Sequence, residues 1–135
     1  MAWTLIAMME TDTAAASGDA VGRVMDARIT SFYDPGHRLG RAMARRLGWQ
    51  RHVAWDTYFV YRAGAQWIGD DMPVPDFWYH QLQDREVWEQ TAEAEFGTTK
   101  WTQALALKSE ADPAHFATGP ELRVALEAAL DSVVT

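Results

Sequence analysis

The residues of this sequence that carry chemistry are four histidines, a carboxylate set in an apolar stretch, and a run of arginines. His37 stands two residues beyond Pro35 at the start of a helical pattern, with Arg38 and Arg41 close behind. Free N–H groups and the positive end of a helix favour an anion, so His37, Arg38 and Arg41 form a candidate phosphate or carboxylate site. The same residues also read as a solvated helix terminus beneath an arginine face. Asp56 is flanked by Trp55 and Tyr58 in the apolar stretch 53–61. Burial pushes a carboxyl pKa up unless the group is paired, which is how general acids and bases are made, and His37 or His80 would be its catalytic companion. The other reading has Asp56 accept hydrogen bonds from an indole, a tyrosine hydroxyl or an arginine and so fix the packing. It weighs more, because spacing pins no second catalytic group beside Asp56.

Asp76 and His80 are four apart, which on a helix puts both on one face as two metal ligands, with His37, His52 or His115 as a third. Asp76 is equally accounted for as a helix cap, and the histidines match no recognised ligand spacing, so no metal is assigned. Trp78, Tyr79, Trp88 and Trp101 would line a ligand pocket or an interface, or else pack the core. Phe77, Trp78 and Tyr79, consecutive on a helix, would point in different directions, leaving at least one ring for a partner. With no cysteine, the chain has no disulfide, thiolate nucleophile, Cys-ligated zinc or dithiol exchange. Its serines lie in no nucleophile-elbow context and its glycines form no dinucleotide or P-loop pattern, so no cofactor is expected.

These groups must be positioned by a chain of 135 residues, 48% of them apolar, with a formal net charge of −7. That is one domain with enough apolar side chain for a core. Charge is segregated: residues 23–51 net +5 and residues 84–131 net −6. An acidic chain suits nucleic acid poorly, whereas a local anion site or head-to-tail contact between copies stays open. No apolar run is long enough for a membrane span, and the start lacks the basic residues of a secretory signal; the expectation is a cytoplasmic protein.

Hydrophobic patterning predicts a strand over residues 3–9. A helix follows from the caps at residues 11–13, interrupted at Ser17-Gly18. A second strand covers 28–33. Asp34 then caps a helix in which Leu39, Met43 and Leu47 recur every four residues, and Gly48 closes it. The stretch 53–61 predicts a central strand, and Ala65–Ile68 a hairpin partner for it. Asp76 is expected to cap a helix to about Phe96, with a short helix near Trp101. A final helix starts from the capping-box spacing of Thr118 and Glu121, with an apolar stripe of Leu122, Leu126, Leu130 and Val133. Strands 28–33 and 53–61 are expected side by side in one sheet.

The order βαβαββα, together with the segments Tyr33–Arg41, Val53–Tyr61 and Pro73–Leu82, resembles uncharacterised bacterial proteins of the thioredoxin-like fold. The resemblance covers residues 3–96 and implies a thioredoxin-like α/β core, with additional C-terminal helices over about 98–135. Two departures stand out. The region 11–17, where active members carry a Cys-x-x-Cys, has no cysteine, so dithiol exchange is excluded. No proline lies near Ala54-Trp55, where the fold usually has a cis-proline. The reading is a non-redox module that binds a protein partner or its own copy. The alternative is a small-molecule-binding protein or cofactor-independent enzyme using Asp56 with His37 or His80 in an aromatic-lined pocket.

Overall fold

The computed structural model describes residues 1–24, 26–49, 53–69, 71–82 and 113–134. Strand β1 (Ala2–Ile6) runs parallel to β2 (Thr30–Asp34), with Ala2 opposite Thr30 and Ile6 opposite Asp34. A parallel pair needs a crossover, and helix α1 (Ala14–Val24) supplies it. The first strand ends before Ala7 because the Asp12 carboxylate takes the N–H groups of Met8 and Met9, at 2.8 and 2.7 Å, and turns the chain. The Thr13 hydroxyl accepts from the Ala16 N–H at 3.2 Å, as an N-cap does. Ser17 and Gly18 do not interrupt α1, contrary to the sequence expectation: the backbone stays helical, and Ser17 is buried.

Helix α2 (Arg38–Arg46) lies against β2. It is the helix predicted from the Leu39/Met43/Leu47 spacing, and Gly48, at φ 78, closes it by donating to the Arg45 carbonyl. Gly40 has no room for a side chain. A Cβ there would lie 2.5 Å from Val53 Cγ1 and 2.9 Å from Ile6 Cδ1, so this glycine sets how closely α2 approaches the neighbouring chain.

The second half departs from the expectation. Strand β3 is confined to Thr57–Val60, because Asp56 takes a left-handed backbone (φ 49) that ends extended pairing. Its partner is β4 (Phe77–His80), antiparallel, with Thr57 opposite His80 and Val60 opposite Phe77. The helix predicted from Asp76 is therefore a strand over its first turn. Phe-Trp-Tyr are β-formers that gain more by packing across from Tyr58 and Phe59 than from a helix, and tertiary pairing decides such stretches. Residues 83–96, the remainder of that expected helix, and the expected helix near Trp101 lie outside the described residues. Ala65–Ile68 is not a strand either; only Ile68 makes an isolated bridge, to Asp71. A 3-10 turn (Pro113–His115) precedes helix α3 (Gly119–Val134). Leu122 is buried and Leu126 and Val133 are half-buried, as the stripe predicts, whereas Leu130 is 51% exposed.

Among the described residues β1–β2 and β3–β4 form two separate two-stranded sheets, so the single sheet pairing strands 28–33 and 53–61 is not what forms. The connection between the halves runs through α2: the Ala54 N–H donates to the Gly40 carbonyl at 2.9 Å. Ala44, Trp49, Ala54 and Leu82 make the buried cluster there, with Met43, Leu47, Trp55 and Trp78 packed against it. The described residues thus form a small α/β arrangement of three α-helices, one 3-10 turn and two small sheets.

Candidate functional site

The predicted anion site at the start of α2 is already filled from within. Asp34, at the end of β2, is buried, and its carboxylate accepts from the N–H groups of Arg38, Leu39 and Gly40 at 2.9, 2.8 and 3.3 Å. These are the donors an exogenous phosphate would have used. His37 does not face solvent. It is buried with a left-handed backbone (φ 56), and its Nε2–H donates to the Ala7 carbonyl, since a carbonyl can only accept. The assignment of His37, Arg38 and Arg41 as one anion-binding set is corrected accordingly: His37 ties α2 to the end of β1, and the arginines stand apart from it on the exposed side.

Asp56 sits at the mouth of the β3–β4 pair. Its backbone carbonyl accepts from the Gln81 N–H at 3.0 Å, and its Oδ1 accepts from the Gln81 side-chain amide at 3.1 Å. The same amide donates to the Tyr58 hydroxyl at 2.9 Å. Burial raises the Asp56 pKa, against the opposing pull of the Gln81 hydrogen bond and the charge of His80. The donor that reaches the Asp56 carboxylate is a glutamine amide, where the sequence suggested an indole, a hydroxyl or an arginine. His80 is near enough to influence it, but its side chain is 0% exposed, enclosed by Trp49, Trp78 and Phe116 at ring-centroid separations of 5.4, 6.0 and 5.6 Å. His37, engaged with Ala7, supplies no second group to Asp56.

Asp76 and His80 do not form a metal pair. In a strand at roughly 3.3 Å per residue they are separated by about 13 Å. Asp76 is engaged elsewhere: its carboxylate accepts from the Arg62 N–H at 2.9 Å and pairs with Arg62 Nε at 3.2 Å. His52 lies outside the described residues, and no cluster of metal-ligating side chains occurs among the described ones.

Strand alternation sends Trp78 and His80 to one face of β4 and Phe77 and Tyr79 to the other. Trp78 is therefore a packing residue. It lies edge-on to Trp49 at 5.5 Å and stacks on His115 at 3.9 Å, and the His115 Nδ1–H donates to the Trp78 carbonyl at 2.9 Å. Tyr79 is half-buried, and Trp88 lies outside the described residues. The Trp49 indole N–H is buried without an acceptor among the described residues, a cost offset by its two aromatic contacts.

Exposed apolar side chains occur at several places among the described residues, including Phe32 on β2 and Val124, Leu130 and Val134 on α3; three of them, one a tryptophan, come together on the loop 61–76 between β3 and β4. Asp76 clamps the base of this loop: its N–H donates to the Val60 carbonyl at 3.0 Å, and its carboxylate holds Arg62. Higher up, Ala65 donates to the Arg62 carbonyl, and Ile68 and Asp71 exchange both backbone hydrogen bonds at 3.1 and 3.0 Å around Gly69 (φ 60). Met72 and Pro75 anchor the returning limb in the interior. The anchored loop leaves Trp67, Ile68 and Val74 exposed by 46, 75 and 66%. Sequence reading passed over these residues by treating 65–68 as a strand. The signal that would have found them is a Trp-Ile pair bracketed by Gly64 and Gly69, too short to pair as a strand yet carrying two large apolar side chains.

No family model, curated protein or solved structure matches the chain.

Proposed function

We propose that the chain is a thioredoxin-like α/β module without redox chemistry that works by binding protein, its own copies included, through the tip of the loop 61–76. The observation that carries this reading is the exposure of Trp67, Ile68 and Val74 on a loop that backbone bonds and the Asp76–Arg62 pair already hold in shape. Tryptophan is the residue type most enriched where interfaces concentrate their energy, and a pre-ordered loop loses little entropy on docking. Support for the thioredoxin-like part is the parallel pairing of β1 and β2 through the crossover helix α1. The missing cysteines leave the chain without dithiol exchange.

The enzyme reading fares worse on the same geometry, because Asp56 faces a glutamine amide and His80 is sealed among rings. Sedimentation velocity over a wide concentration range tests the proposal. Reversible association is expected for the natural sequence, and a monomer is expected when Trp67→Ser and Ile68→Ser are combined. A monomer at every concentration, or association that survives the double substitution, overturns it.

A further inference from the structure

With Asp34 occupying the N-terminal donors of α2, its arginine side chains are left to another purpose. Arg38, Arg41, Arg45 and Arg46 are all exposed, and none forms an ion pair among the described residues. At helical spacing Arg38, Arg41 and Arg45 share one stripe with Arg46 beside it, while Gly40 and Ala44 face the interior and Met43 and Leu47 pack on the core. No acid lies on this helix. We infer that the outer face of α2 is a docking surface for a carboxylate-rich, extended segment of a partner protein.

Dimensions and composition select this occupant over other polyanions. Arg38 to Arg45 spans about 10 Å of helix, with steps of about 4.5 and 6 Å between successive arginines. Acidic side chains on alternate residues of an extended chain are about 6.6 Å apart, so a short acidic segment can present one carboxylate to each guanidinium. Guanidinium and carboxylate match as two-point partners, which favours Arg over Lys at such a face. A nucleic acid would face the chain's net charge of −7 over a much longer length, and α2 carries no aromatic ring on which a base would stack. A membrane surface would require exposed apolar side chains among the arginines to enter the lipid, and the apolar side chains of α2 turn inward.

The test is fluorescence anisotropy with labelled octaglutamate, using octaglutamine, oligothymidine and phosphatidylserine vesicles as competing probes. Octaglutamate is expected to bind more tightly than any of the others and to weaken as salt is raised. The combined Arg38→Gln, Arg41→Gln and Arg45→Gln variant is expected to bind it at least about tenfold more weakly. Glutamine keeps the helix propensity, and circular dichroism and the melting temperature verify that the variant folds. Equal binding of octaglutamine, tighter binding of oligothymidine or of the vesicles, or full binding by a folded triple variant overturns the inference. The Trp67→Ser, Ile68→Ser variant is expected to bind octaglutamate normally, which separates this face from the loop tip.

Discussion

Replacing Asp34 with alanine probes the internal anion most sharply. The change removes the acceptor of three backbone N–H groups, at 2.9, 2.8 and 3.3 Å, and leaves the Asp34 carbonyl contacts to Ala7 and His37 in place. Loss of a helix cap costs about 1 to 2 kcal/mol. The Gly40 N–H is buried, and losing its partner costs about 1 to 3 kcal/mol more. The expected total of about 2 to 5 kcal/mol lowers the melting temperature of a chain this size by on the order of 10 °C. The vacated donors then become the anion site that the sequence suggests, so sulfate should restore part of the loss. Sulfate stabilises folded proteins generally by exclusion, and the readout is therefore the gain in the variant beyond that of the natural protein in the same calorimetric series. An unchanged melting temperature, or an identical sulfate response in both proteins, would refute the assignment of Asp34 as the occupant of the helix terminus.

Other substitutions separate packing from surface roles. Trp78→Ala is expected to destabilise by about 2 to 4 kcal/mol through loss of the Trp49 and His115 contacts, whereas Trp67→Ser changes stability by less than about 0.5 kcal/mol; urea unfolding decides, and equal losses would be contrary. Asp56→Asn is expected to melt higher than the natural protein at neutral pH. The folded pKa of Asp56 lies above its unfolded value, so ionisation penalises folding: the penalty is absent below the unfolded pKa, grows as pH rises through the folded one, and persists above it. The advantage of asparagine should vanish below about pH 4, and a lower melting point at neutral pH would count against burial as the dominant influence. Tyr61 has a buried hydroxyl without a partner among the described residues, and burial pushes its pKa up to about 12 from 10.0. Tyr61→Phe should match or exceed the natural stability at neutral pH and lose the decline between pH 10.0 and about 12 that tyrosine ionisation imposes. A variant that keeps the decline would assign it to another group.

The first half of the fold was legible because its signals are local. The Leu39/Met43/Leu47 spacing, the Asp34 cap and the Gly48 stop all act within a turn or two of the residues they order. What sequence could not supply there was occupancy, since a helix terminus looks the same whether its donors meet a ligand or the preceding aspartate. The second half depends on pairing across sixteen intervening residues, between Val60 and Phe77. Phe77–His80 has a cap-like aspartate before it and three consecutive aromatic residues, a pattern that a buried strand and a helix share. Choosing helix put Trp78 among the interface candidates and Asp76 in the wrong role. Choosing a strand for 65–68 concealed the tip that carries Trp67 and Ile68.

The most direct measurement is a dilution series followed by backbone and indole N–H nuclear magnetic resonance shifts, because it locates any self-contact residue by residue. Concentration-dependent shifts are expected at Trp67, Ile68 and Val74, with the Trp49 and Trp78 indoles unmoved. Shifts absent from the tip, or centred on another surface, would contradict the assignment of the loop 61–76 as the docking element.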